Sequence, residues 1–350
     1  MRATLPGYRP ALSILAPMTT SSLGRASGGA GRYAPSPSGD LHLGNLRTAL
    51  IAWAAARSSG RRFVLRVEDI DRVRPGAAGQ QLADLARLGL DWDGPPLLQS
   101  TRETAHRAAV AQLTAAGRTY ECYCTRREIQ AAASAPHGAP GAYPGTCRDL
   151  GDAERARRRR DRPPAVRLRA DVRSRTVVDR WAGPYTGLVD DFVLLRNDGR
   201  PAYNLAVVLD DAHQGVDQVV RGDDLLPSTP RQAYLAAVLG LPEPQWAHVP
   251  LVLTPEGRRL AKRDGAVTLS ELAAAGHGAE EVLGWLAASL GLPGPVRTAQ
   301  DVLAVFAEDV LPREPWVVDP SGWAPQARSR DRGPASSGAC GSSGSARNRS

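Results

Sequence analysis

Gly31 to Asn45 reads GRYAPSPSGDLHLGN and runs straight into NLRTALIAWAAARSS, Asn45 to Ser59. Prolines, serines and glycines make the first stretch a stiff, exposed turn. The second is rich in Ala and Leu and reads as a helix over Gly44 to Ser58, with Gly60 as its stop. Arg62 to Val67 then reads as a buried strand. This loop, helix and strand unit is followed by helical patterns over about Gly76 to Leu88 and Glu103 to Ala116, and together they predict an α/β domain. Gly44 stands where a helix N-terminus begins, with free N–H groups and a positive dipole end, so the turn predicts an anion cradle. His42, two residues earlier, adds a side-chain donor to the backbone donor. A lone His-x-Gly is more often an ordinary turn, so a second element has to decide.

Composition sets the frame for that second element. With 350 residues, 42% hydrophobic and 23% charged, the chain has apolar material for a sizeable core and more than one domain. The apolar run near its start, Ala11 to Met18, is interrupted by Ser13 and Pro17 and falls well short of the roughly 18 to 20 residues a membrane span needs. No membrane anchor and no signal peptide are expected, and a cytoplasmic location follows. The net charge of +8 resides mostly at the ends: residues 1–31 carry +3 and residues 326–350 carry +4, which leaves +1 for the body. High overall charge is thus weak support for nucleic-acid binding. Lys262 is the single lysine among 44 basic residues. Against so strong an arginine bias, a surviving lysine marks a place where a compact ammonium on a flexible stem is needed. Parallel-sheet character is read in DDFVLLR, AYNLAVVLDD and DQVVRGDDLL, followed by a helix from Thr229 to Leu239.

The second element is Val252 to Gly265, VLTPEGRRLAKRDG, where Lys262 lies among Arg258, Arg259 and Arg263 in a cationic loop suited to a polyphosphate. With the first element, in this order and about 220 residues apart, it resembles the paired signature of class I aminoacyl-tRNA synthetases. His42-Leu43-Gly44-Asn45 and Arg259-Leu260-Ala261-Lys262-Arg263 stand in the places of its two motifs. RYAPSPSGDLHLGNLRTAL, LRVEDIDRVRPGA, AYNLAVVLDDAHQGVDQVVRGDDLL and STPRQAYL are similar, segment by segment, to the glutamyl-tRNA synthetase family over about Arg32 to Ala307. The chain ends soon after the helices that follow the lysine loop, with no room for a large anticodon-binding domain. It therefore resembles most the shortened branch of that family, which attaches glutamate to queuosine in the anticodon loop of tRNA(Asp).

The resemblance implies a Rossmann-type catalytic domain, residues 32–118 and 185–250, interrupted by a zinc-bearing insertion at 119–184. It is followed by a lysine-loop and helical region at 251–318, with disordered ends at 1–31 and 319–350. The activity implied is ATP-dependent activation of L-glutamate without tRNA, with Mg²⁺ on the phosphates, and transfer to tRNA(Asp) carrying queuosine, by a monomer. Two rival readings are a truncated glutamyl-tRNA synthetase charging the 3′ end of tRNA(Glu), and a catalytically silent tRNA-binding paralogue. His42, Gly44 and Lys262 are the expected catalytic groups, and with Asn45 they would bind ATP. Arg32, Tyr33, Ala34, Pro35, Ser36, Glu68, Tyr203 and Arg221 map onto the family's amino-acid pocket. Chemistry agrees, since glutamate has two carboxylates and an ammonium, which call for guanidiniums, a countercharge and hydroxyls. Glu68 is expected at the amine and Arg32 or Arg221 at a carboxylate. The sequence departs from the motifs at Arg259, which replaces a lysine, at Ala261, which removes a serine hydroxyl, and at Asn45, which replaces the second histidine.

Cys122, Cys124 and Cys147 have spacing that can close around Zn²⁺, with Tyr143, His137 or water as a fourth ligand. In the resembled family the insertion's structural zinc is held by three cysteines and a tyrosine, which implies Tyr143. The run ERARRRRDR, Glu154 to Arg162, suits either RNA phosphates or a solvated helix face. His106, His213, His248 and His277 are read as structural or surface residues.

Overall fold

The protein was analysed as a computed structural model that describes residues 28–133, 142–260 and 267–319. Lys262 and His137 lie outside the described residues, as do most of the two ends. The chain begins with β1 (Ala30–Tyr33), α1 (Leu43–Ser58), β2 (Arg62–Val67), α2 (Ala77–Arg87), β3 (Leu97–Leu98) and α3 (Glu103–Ala115). Then come β4 (Thr119–Cys122), α4 (Arg126–Ala133), α5 (Asp152–Asp161), β5 (Ala165–Leu168), β6 (Ser174–Asp179), β7 (Gly183–Leu188) and β8 (Val193–Leu195). α6 (Tyr203–Gln214), β9 (Val216–Gly222), α7 (Thr229–Leu239), β10 (Gln245–Val249) and β11 (Val252–Leu253) follow. The described part closes with α8 (Leu269–Ala274), α9 (Ala279–Ser289), α10 (Ala299–Val305) and β12 (Trp316–Val317).

Seven strands form the main sheet in the order β3-β2-β1-β9-β10-β6-β7, parallel except for β7 at one edge. Alternate residues of its central strands enter different clusters. Phe63, Leu65, Val220 and Ala247 join α1, α9 and α10, whereas Val64, Val219 and Trp246 meet Ala233 of α7. A parallel sheet covered on both faces needs such continuous apolar strands, which is why FVLRV and VVRG show no polar alternation. α1 is buried almost all round, from Leu43 through Ala56, so its sequence is uniformly apolar rather than striped. The chain leaves β1 towards β2 and β3 on one side and returns to β9 on the other. This reversal between β1 and β9 opens a crevice at the strands' carboxyl ends, the usual ligand position in such sheets.

Three differences from the sequence expectations have physical causes. AYNLAVVLDD is the helix α6, not a strand, and it ends at Gly215 in the left-handed conformation, φ 70°. Its buried face takes in Leu205 to Val208 and Asp210 to Asp211, so no helical period shows, and a short apolar run does not reveal its own geometry. DDFVLLR contributes β8 to a small antiparallel sheet β4-β5-β8 instead of the parallel one. Ser174–Asp179 and Gly183–Leu188, assigned in sequence to or beside the insertion, hydrogen-bond into the main sheet.

Candidate functional site

Arg32 is the next-to-last residue of β1, β2 leads into Glu68, and Arg221 is the next-to-last residue of β9, so three carboxyl ends bring these side chains to the crevice. Arg32 is buried; its Nη1 donates to the Val220 carbonyl at 2.9 Å, and its Nε lies 3.6 Å from Asp211 Oδ1. Arg66, two residues before Glu68 and therefore on the same face of its strand, donates to Asp211 at 2.7 Å and to Glu68 at 3.3 Å. Arg221 donates from Nε to His248 at 2.9 Å and from Nη2 to Thr229 at 2.9 Å, and its Nη1 lies 3.4 Å from the Tyr203 hydroxyl. Tyr203 keeps 41% of its surface exposed and stands at the opening.

The electrostatics favour an anionic guest that also carries a positive group. Burial pulls the proton affinity of Arg32 down, Arg66 and Arg221 add to that effect, and Asp211 and Tyr203 oppose it. Burial also raises the Glu68 carboxyl, although Arg66 and Arg32 oppose the rise. Three guanidiniums, Arg32, Arg66 and Arg221, face two carboxylates, Glu68 and Asp211. This leaves one positive charge to be matched, the complement of a dicarboxylic amino acid with one ammonium.

Other expected pocket residues take different places. Tyr33 is turned into the apolar core and is 7% exposed. The Pro35 carbonyl accepts from the Glu68 N–H at 3.0 Å, which ties the turn to the end of β2. The Ser36 carbonyl accepts from buried Gln81 of α2 at 3.0 Å, and Gly39 accepts from the same amide at 2.6 Å. Ala34 lies between them, half-buried.

The His42 turn corrects the anion-cradle expectation. His42 is the N-cap of α1: its Nδ1 accepts from the Gly44 N–H at 3.1 Å, and Asn45 Oδ1 accepts from the His42 N–H at 3.2 Å. The Leu43 N–H donates to Val267 and that of Asn45 to the His42 carbonyl. The first N–H groups of the helix are therefore already satisfied, and no backbone donor at Gly44 remains for a phosphate. Because Nδ1 accepts, a neutral ring carries its hydrogen on Nε2, which keeps a side-chain donor. The ring packs so closely that a Cβ at Gly44 would sit 3.0 Å from His42 Cε1. Asn45 replaces the expected histidine here as half of a capping box.

The described residues that flank the second motif are buried: Leu260 bonds back to Val252, Val267 accepts from the Leu43 N–H, and Thr268 bridges to His42. Arg259, in the place of the motif's first lysine, is ion-paired to Asp224. Arg47 clamps α1 to the segment entering this loop, donating to the Pro250 carbonyl at 2.8 Å and to Ser289 at 3.1 Å. Burial pushes its guanidinium down to about 10.

Cys122, Cys124 and Cys147 lie with their sulfurs within 4.8 Å of one another. The Tyr143 hydroxyl is 3.4 Å from Cys122 Sγ and 3.7 Å from Cys124 Sγ, and it accepts from the Cys147 N–H at 2.8 Å. Cys124 and Cys147 are 3.5 Å apart, far from a disulfide and near the roughly 3.7 Å that tetrahedral bonds of about 2.3 Å impose. Burial pushes the Cys124 thiol up to about 12, so a cation would be needed to draw off its proton. The arginines of α5 beside this cluster are mostly paired: Arg155 with Asp152, Arg157 and Arg158 with Glu154, and Arg159 with Glu121.

Sequence reasoning missed Arg66, Asp211, Gln81 and the role of His248. Arg66 shares the strand period with Glu68, and the paired acids Asp210-Asp211 in an apolar run were a visible anomaly; no local pattern pointed to Gln81.

Comparison with known proteins fits this geometry. Residues 30–289 match the family described as tRNA synthetases class I (E and Q), catalytic domain. The chain belongs to that family. A protein of Nocardia farcinica named glutamyl-Q tRNA(Asp) synthetase is 67% identical over 296 residues, 84% of this chain and 94% of the relative. One of the same name from Cutibacterium acnes is 52% identical over 298 residues, 84% of each. The crystal structure of a glutamate tRNA ligase from Elizabethkingia meningosepticum, in complex with its amino acid, has a TM-score of 0.72 and 26% identity, covering 83% of this chain and 67% of that one. Class I membership makes the protein a ligase that uses ATP with Mg²⁺. No helix among the described residues is long and apolar enough to cross a membrane.

Proposed function

We propose that the protein joins L-glutamate to ATP, forming glutamyl-adenylate without tRNA, and transfers the glutamyl group to queuosine in tRNA(Asp). One observation above the others supports this reading: Arg32, Arg66 and Arg221 gather with Glu68 and Asp211 into a set matched to a dicarboxylic amino acid, on the chain that carries the His42 turn. Arg32 and Arg221 hold the two carboxylates of glutamate and Glu68 holds its ammonium. An arriving ammonium stabilises the ionised Glu68 and offsets the burial that raises it.

No protein nucleophile is required. A carboxylate oxygen of glutamate attacks the α-phosphorus of Mg·ATP, the bond to the β-phosphate bridging oxygen breaks, and pyrophosphate leaves. Catalysis is then positioning and stabilisation of charge on phosphoryl oxygens. His42 donates from Nε2, and Lys262 supplies an ammonium. Gly44 contributes by letting the His42 ring pack down, and Asn45 by completing the cap.

Cys122, Cys124, Tyr143 and Cys147 form a donor set that fits one Zn²⁺, which would close the β4–β5 module as a structural tie. The protein is expected in the cytoplasm as a monomer.

The test is transfer of labelled glutamate to two pools of tRNA(Asp), one with queuosine and one with guanosine at the wobble position. Label on the queuosine pool alone, retained on tRNA(Asp) that lacks its 3′-terminal adenosine, is the expected result. Label that disappears when the terminal adenosine is removed would assign the 3′ terminus as acceptor instead.

A further inference from the structure

Three neighbouring strands carry Asp179, His248 and Arg221 at their carboxyl ends, Asp179 as the last residue of β6 and the other two one residue before the ends of β10 and β9, and the register sets His248 directly across from Arg221. The side chains of Asp179 and His248 are fully buried. Asp179 accepts from the N–H groups of Trp181 at 2.9 Å, Ala182 at 2.8 Å and His248 at 3.1 Å, and its Oδ2 lies 2.6 Å from the His248 ring Nδ1. A carboxylate surrounded by donors is ionised and can only accept. Burial alone would raise Asp179, but the ring and the backbone donors outweigh it and hold the group low. The hydrogen of the imidazole is therefore on Nδ1, and Nε2 offers a lone pair to Arg221 Nε at 2.9 Å. Thr229, 3.1 Å from Nε2, accepts from Arg221 Nη2, and the guanidinium lies 5.2 Å from the centre of the Trp246 ring. One edge of Arg221 is thereby fixed, and Nη1 is left on the Tyr203 side.

We propose that Asp179 and His248 are positioning residues for amino-acid recognition: they orient Arg221 towards a substrate carboxylate, and do so only while His248 is neutral with its hydrogen on Nδ1. This rests on the reading of Arg221 as a ligand of glutamate. The charged groups facing His248 are Asp179 from β6, Arg221 from β9 and Arg32 from β1. A second proton, on Nε2, would set donor against donor at Arg221 Nε. Affinity for glutamate then falls as the pH drops far enough to protonate His248, which burial makes harder than for a free imidazole.

Glutamate-dependent ATP–pyrophosphate exchange with the full chain tests this, with KM for glutamate and for ATP measured separately. Asp179→Asn presents an amide N–H to Nδ1 and drives the hydrogen to Nε2. It is expected to raise KM for glutamate by about 10- to 100-fold, the scale of a lost hydrogen bond to a charged group, with KM for ATP nearly unchanged. His248→Gln keeps an oxygen acceptor for Arg221, so it should retain KM within about fivefold and lose the acid limb of its pH profile, whereas His248→Leu should not retain it. Nitrogen NMR of the imidazole in the parent should show an Nδ1-bound hydrogen. An Nε2-bound hydrogen there overturns the proposal even if Asp179→Asn does not fold. An active parent with Asp179→Asn within about twofold in KM for glutamate also overturns it. A parent with no glutamate-dependent exchange removes the functional reading, and the proposal with it.

Discussion

Charged side chains at the carboxyl ends of β1, β2 and β9 and those along α5 are the same residue types, yet they are differently placed. Arg66 is fully buried between Asp211 and Glu68, whereas Arg157 and Asp161 of α5 are mostly exposed to water. In the first region Arg32, Arg66 and Arg221 are held by partners more than 140 residues away or on a neighbouring strand, with little solvent to replace them. In the second, partners lie mostly three or four residues away on one helix and water can take over at any moment. The same ion pair is thus structural in one place and nearly neutral in the other.

The largest effect is expected where the crevice meets the reaction. Lys262→Ala should lower glutamate-dependent pyrophosphate exchange by about 10²- to 10³-fold, as for removal of one charge-stabilising group, with little change in melting temperature. Near-normal exchange would remove Lys262 from the mechanism. Next comes Arg66→Met, which leaves Asp211 and Glu68 buried without their shared cation. A loss of about 3–5 kcal/mol in unfolding free energy is expected, read from denaturant melts. A loss no larger than that of a surface pair would erase the distinction between the two regions.

How far each region was legible follows the same division. The cysteine cluster was readable because Cys122, Cys124 and Cys147 are close in sequence, while Tyr143 was singled out by the family resemblance, and the structure draws all four together. In the crevice, the motif residues His42, Glu68, Tyr203 and Arg221 were legible through the family resemblance. Arg66, Asp211 and His248 were not, because their significance lies in which strands the topology sets side by side. α6 was misread for a related reason: buried on most sides, it has no periodic stripe to betray a helix. The free N–H groups expected at Gly44 failed on a detail that spacing does not encode, the rotation of His42 back onto its own helix.

The cysteine module is intermediate in expected effect. Cys147→Ser should lower zinc from about one ion per chain to a small fraction, measured by elemental analysis of the purified protein. The fingerprint of the main sheet should persist, since β4, β5 and β8 form a separate sheet. Zinc well below one per parent chain, with the protein still folded, would end the assignment of Tyr143 and the three cysteines as ligands.

The smallest effect belongs to α5. The Glu154 carboxyl is held down to about 2 by hydrogen bonds from Arg157 and Arg158, the first-ranked influences on a group otherwise open to water. Because that carboxyl is depressed, whatever the pairs contribute is fully present above the ordinary glutamate range and lapses only as the pH falls through about 2. Neutral-pH melts therefore sample the pairs intact. Glu154→Ala frees both arginines at once, so it is the most severe single cut available on this face. Its melting temperature should nonetheless stay within about 1 °C of the parent, with any difference vanishing in molar salt. A larger, salt-sensitive drop would mean that the helix acts as a connected network, and exposed arginines would then have to be weighed on the same scale as Arg66.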